Sequence, residues 1–196
     1  MSTIPEWFKI AYTLAVLVFM VIYWQRYGPR NFLWFSDVAF IGAVPAMWLE
    51  SALISGTLAC MVLMAEVLWN VDYVLRIVLK RRITGLTEYM FDSSIPRWLR
   101  AVSLFHVPLP LVMVWLVAAY GYPAAALPAA AGTAAVVLAL SYFFSSREKN
   151  INWVFGLGRV QHRLAPPLYL GLLYLGFVLL VFLPTHWLLM RLFPAP

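Results

Sequence analysis

Long apolar runs separated by short polar breaks constrain this chain more than any other feature of it. A helix crosses about 30 Å of hydrocarbon in about 20 residues. Six stretches approach or exceed that length, at about 8–25, 32–50, 54–79, 97–120, 123–144 and 167–190. Of the 196 residues 64% are hydrophobic and only 11% are charged, where soluble proteins carry about 25%. No water-facing surface can be built from that composition, and the mean hydropathy of +0.84 makes lipid the solvent. The expectation is an all-α, polytopic membrane bundle of about six transmembrane helices, a single integral-membrane domain over residues 1–196. No repeat, linker or low-complexity tail divides it.

The first run follows Glu6 and Lys9 rather than a basic segment, and Gln25, Arg26 and Tyr27 close it where a cleavage site would need small residues. It reads as a retained helix rather than a signal peptide. The fifth run is rich in alanine, which lets a neighbouring helix come close. Cys60 is the single cysteine, which leaves no disulfide framework.

Basic residues set the orientation. Loop one holds Arg26 and Arg30; loop three holds Lys80, Arg81, Arg82, Arg97 and Arg100; loop five holds Arg147, Lys149, Arg159 and Arg163. Only Lys9 and Arg191 belong to the other side. Both termini are therefore expected outside, with loops one, three and five in the cytoplasm and two short external turns near residues 50–55 and 120–123. The formal charge of +6 fits loops held against anionic headgroups, and no motif speaks for nucleic acid. Tryptophans and tyrosines gather near the run ends, as an interfacial belt requires.

The polar residues inside the runs carry the functional question. An ionisable side chain at membrane depth is costly and marks a site by default. Glu66, Asn70 and Tyr73 fall within about 60° of arc on one helical face, at about 100° per residue. Asp72 lies off that face at i,i+4 from Arg76, a spacing that predicts a local ion pair. Asp37 is about two turns into the second run. His106 lies about 14 Å beyond Arg97 at 1.5 Å per residue, just before Pro108 and Pro110. Each proline frees the carbonyl four residues back, here those of Leu104 and His106, and such carbonyls in lipid need a partner. A broken helix at mid-depth is one way to build a binding site.

Asp37, Glu66 and His106 are thus the candidate catalytic groups. They are also the metal ligands, if a divalent metal is bound. Asn70, Tyr73, Arg100, Glu148, Asn150 and Asn152 are the candidate ligand-binding residues around them, the last three on loop five folding back from below. Two carboxylates and a histidine can bind a metal or perform acid–base work. Neither a metalloprotease pair nor a nucleophile elbow is present. Haem is disfavoured, because His162 and His186 lie at other depths than His106.

The segments Asn31–Asp37 (NFLWFSD), Trp69–Asp72 (WNVD), Gly85–Asp92 (GLTEYMFD) and Glu148–Phe155 (EKNINWVF) resemble a group of small, uncharacterised bacterial multi-pass membrane proteins, over about residues 30–190. The resemblance implies a bacterial inner membrane and brings no activity or functional residue. The late paired histidines of ceramidase-like membrane hydrolases are absent. Three readings follow from the residues. The first is a cavity, open to the cytoplasmic side, that binds or processes a lipid or other lipid-soluble molecule. The second is a small ion- or proton-coupled transporter acting as a homo-oligomer. The third is an accessory subunit of a larger membrane complex, its polar residues fastening helices together.

Overall fold

A computed structural model describes residues 4–194. It is all-helical, without strands among the described residues. Helix α1 (Glu6–Tyr27) ends at Gly28, whose φ of 78° is a conformation that glycine adopts freely. A 3-10 turn over Pro29–Leu33 leads into α2 (Phe35–Trp48). Helix α3 (Ala52–Leu79) opens on Ser51, whose hydroxyl accepts from the Ile54 amide at 3.2 Å, and closes at Lys80 in the left-handed region. The fourth run divides into α4 (Arg97–Val102), a 3-10 turn over Ser103–His106, and α5 (Leu109–Tyr120). Helix α6 (Ala126–Phe144) follows. The last run divides into α7 (Pro166–Phe177), a π-helical turn over Val178–Phe182, and α8 (Leu183–Leu192).

Five of these helical stretches are long and apolar enough to cross a membrane: 6–27, 52–79, 97–120, 126–144 and 166–192. The second run differs from expectation. Its α-helix has 14 residues, about 21 Å at 1.5 Å each, because the backbone around Asn31 turns as a 3-10 helix instead.

Helix α3 is the axis of the bundle. It packs against α2, α5, α6 and α8, and its segment from Ser55 to Leu63 is buried at every residue. Small residues permit this. A Cβ at Gly56 would come within 3.0 Å of the Ala126 Cβ, and Ala59, Ala126, Ala130 and Ala134 have no exposed surface. The close approach expected of the alanine-rich run is thus observed, and dispersion contacts between such surfaces drive helix association in lipid.

Polar contacts sort the connections into two ends. At one end Lys9 pairs with Glu50 at 2.7 Å, the Tyr120 hydroxyl donates to the Met47 carbonyl at 3.3 Å, and the Tyr122 amide donates to Phe193 at 2.8 Å. At the other, Lys149 Nζ donates to the Tyr27 carbonyl at 2.8 Å, Asn152 holds Leu33, and the Arg26 guanidinium lies 5.0 Å from the centre of the Trp98 ring. The second end carries the basic residues of loops one, three and five.

Candidate functional site

The site begins with the break between α4 and α5. Pro108 and Pro110 have no amide hydrogen, so the carbonyls of Leu104 and His106 lose their helical donors. The structure satisfies both. Leu104 accepts from the Val107 amide at 2.9 Å in the 3-10 turn. His106 accepts from the Asn70 side chain at 2.8 Å. The same Asn70 nitrogen donates to the Glu66 carbonyl one turn back on α3, also at 2.8 Å. One amide therefore ties the broken helix to the central one.

That tie brings His106 onto Glu66. Its Nδ1 lies 2.8 Å from Glu66 Oε2, and the two side chains are 12% and 4% exposed. The imidazole stacks on Trp69 at 4.6 Å between centroids and on Phe105 at 4.2 Å. Two rings cannot share one face at those distances, so the imidazole is held between them. The contact is a hydrogen-bonded acid–base pair in a medium of low dielectric, where a carboxylate without a partner is strongly disfavoured.

Asp37 is buried in the first turn of α2 and accepts from Asn31 at 3.1 Å. It lies within electrostatic range of Glu66 but is not bonded to it. Among the described residues no group of three or more His, Cys, Asp and Glu side chains converges as a metal site would require.

The other expected site residues go elsewhere. Tyr73 stacks on Trp69 at 5.2 Å, one step removed from the pair. Arg100 donates to the Met90 carbonyl at 2.7 Å and holds loop three. Glu148 is exposed, because loop five turns outward there. Asn150 serves its own loop, donating to the Gly156 carbonyl at 2.7 Å and accepting from the Phe155 amide at 2.9 Å. Asn152 is buried, but against the start of α2. It accepts from the Phe35 amide at 3.2 Å and donates to Leu33 at 2.7 Å and to Ser141 at 3.1 Å. Loop five is therefore an ordered clamp on loop one rather than a cap on the Glu66 site.

The expected Asp72–Arg76 ion pair is not formed. Loop three folds back over Asp72 and offers four donors: Thr84 N and Oγ1 at 3.0 and 2.7 Å, and Thr87 N and Oγ1 at 3.1 and 2.6 Å. Those donors outcompete a flexible guanidinium, and Arg76 lies instead 5.3 Å from the centre of the Phe91 ring.

Hydroxyl groups adjoin the pair that the apolar pattern does not single out. The Tyr23 hydroxyl and Ser103 Oγ are 2.7 Å apart and buried. Loop three carries Tyr89 inward, so that its hydroxyl lies beside Ser103 and Trp69 and in range of Glu66. Burial pushes this hydroxyl above the ordinary phenol range. The Trp69 indole N–H lies beside this hydroxyl, and Arg100 Nε has no acceptor among the described residues. One signal for Tyr23 is present in the sequence: Tyr12, Val16, Phe19 and Tyr23 recur at helical spacing and form the buried face of α1.

Two hollows adjoin these elements. A cleft in loop three bounded by Asp72, Arg76, Arg82 and Thr87 leaves no room for a water molecule. A lipid-facing groove of about 410 Å³ runs between α1, Phe40, Val102 and Phe105. Neither is lined by Asp37, Glu66 or His106.

No protein-family model matches the chain. Comparison with curated proteins yields no match, and comparison with solved structures yields none.

Proposed function

We propose that this chain is a six-crossing protein of a bacterial inner membrane, both termini outside, in which the Glu66–His106 pair takes up and releases a proton. The observation that carries the reading is the 2.8 Å contact between a buried carboxylate and a half-buried imidazole at a helix break. A catalytic site for a lipid-soluble substrate needs room beside its acid–base groups, whereas a proton needs none.

The groups that face Glu66 or its near neighbours are His106, Asp37, Tyr89, Tyr23 and Arg100, with Asp72 on the same helix held by loop three. Infrared spectroscopy of the protein in liposomes should show a protonated-carboxyl C=O band that grows on acidification and is missing in Glu66→Gln. A spectrum in which no such band depends on Glu66 at any pH would overturn the proposal.

One observation favours a second reading, the binding of a lipid-soluble molecule. Phe105 is shared between the apolar groove and the stacked His106, so an occupant of the groove touches the residue that holds the imidazole. The part of the tryptophan fluorescence that is lost in Trp69→Phe should be quenched by brominated acyl chains, and an unquenched Trp69 contribution would count against it.

A further inference from the structure

The lipid-facing groove has a packed floor and an open rim. Three buried rings, Phe19, Phe40 and Phe105, form the floor, with centroids between 4.7 and 5.1 Å apart. Leu14 and Val18 on the rim are both more than half exposed, and Ile22 and Val102 continue the walls. Every one of these side chains is apolar. Lipid tails are as apolar as they are, so entering the groove gains little over staying in the bilayer. Whatever selects an occupant must lie at an end of the groove.

One end is basic. Each wall continues there for one helical turn, from Ile22 to Arg26 along α1 and from Val102 back to Trp98 along α4. Those two side chains meet across the mouth, the guanidinium 5.0 Å from the ring centre, which is cation–π range. Both are exposed. Stacking uses the flat face of a guanidinium and leaves the N–H donors in its plane open to a bidentate acceptor. Among the described residues no salt bridge includes Arg26, nor Arg97 at the start of α4. Lys149 adds a third cation, its Nζ resting 2.8 Å from the carbonyl of Tyr27, the residue after Arg26. A guanidinium held against a ring and lacking an anion therefore stands at the mouth of an apolar groove.

We propose that the groove holds an acyl chain of a phospholipid of net negative charge, its phosphate bound by Arg26 on the Trp98 ring. The inference rests on the second reading above, that a lipid-soluble molecule occupies the groove, and it names the class of that molecule. From Leu14 to Ile22 the groove follows α1 for about 12 Å, and Arg26 lies about 6 Å further on. A chain seated along it brings its headgroup to the guanidinium while remaining in one leaflet. Planar bidentate recognition of phosphate is what arginine does best. A zwitterionic headgroup would carry its own cation among Arg26, Arg97 and Lys149, where like charges repel.

The test is native mass spectrometry of the full chain in detergent, titrated with phosphatidylglycerol or with phosphatidylcholine of identical acyl chains. Phosphatidylglycerol should bind about tenfold more tightly, the worth of one charge-assisted contact. Arg26→Gln should remove that preference. Arg163→Gln, which alters an exposed cation outside the groove, should leave it intact. Val18→Trp fills the groove from its rim and should lower the binding of both lipids; Leu14→Trp serves if that variant does not fold. Equal losses in Arg26→Gln and Arg163→Gln overturn the proposal, since they show only a diffuse attraction to the basic end. Equal affinity for the two lipids, with both lost in Val18→Trp, overturns the choice of headgroup and leaves groove occupancy standing. Binding of both lipids unchanged in Val18→Trp and Leu14→Trp overturns groove occupancy and this inference with it. A dimer that retains neither lipid and dissociates in Val18→Trp shows a second copy in the groove and also overturns it.

Discussion

Asn70 shows how one side chain does two jobs at the break. Its amide nitrogen donates to the carbonyls of Glu66 and His106, so it both settles the carbonyl freed by Pro110 and aligns the imidazole with the carboxylate. Asn70→Ala leaves that carbonyl unsatisfied in a partly buried position, at a cost of about 1–3 kcal/mol. Thermal unfolding in detergent should report that loss. Glu66→Gln, by contrast, keeps a side chain able to hydrogen-bond His106, so its effect on stability should be smaller while the infrared band disappears. If Glu66→Gln destabilises the protein more than Asn70→Ala does, the pair is primarily a structural fastener.

At the scale of elements, loop three is held by a single carboxylate. Asp72 accepts four hydrogen bonds from Thr84 and Thr87, and bonds to an ionised acceptor are the stronger kind. Asp72→Ala should free the loop at a cost on the order of 2–3 kcal/mol. Faster hydrogen exchange confined to residues 84–91 is the expected signature; uniform acceleration along α3 would instead show that the helix depends on this residue. The clamp also marks where sequence reading stops. The shared face of Glu66 and Asn70 and the break at His106 were legible, because helical phase and the missing proline N–H are local properties. The partners of Asp72 were not legible, because i,i+4 spacing says nothing of a loop returning from 12 to 15 residues away. The neighbourhood of Asn152 is hidden for the same reason, its partners Leu33 and Phe35 lying 119 and 117 positions off. Tyr89 was legible only as part of an interfacial segment, since which side chain of such a loop turns inward depends on packing.

At the scale of the whole molecule, the short second helix is the element on which topology turns. Its 14 residues fall below the usual length for a crossing, yet its two flanks meet opposite ends of the bundle. Asn152 of loop five holds Leu33 at the basic end, and Lys9 holds Glu50 at the other. Cysteine labelling on a Cys60→Ser background separates the alternatives. An impermeant thiol reagent added outside intact cells should modify Ser51→Cys and should reach Arg30→Cys only after permeabilisation. Labelling of both from one side would remove α2 from the set of crossings.

The fully buried stretch of α3 from Ser55 to Leu63 has a consequence for how the pair responds to voltage. A charge carried through the whole membrane field gains or loses about 2.3 kcal/mol per 100 mV. If protons reach Glu66 only from the inner side, they traverse at most the inner half of that field, because the dry segment takes up the rest. Occupancy of the pair would then follow the inner pH, and 100 mV across the membrane would shift it by no more than about 1.2 kcal/mol. In a chain arranged this way one compartment sets the acidity that the pair meets, and the membrane potential acts with at most half its full strength.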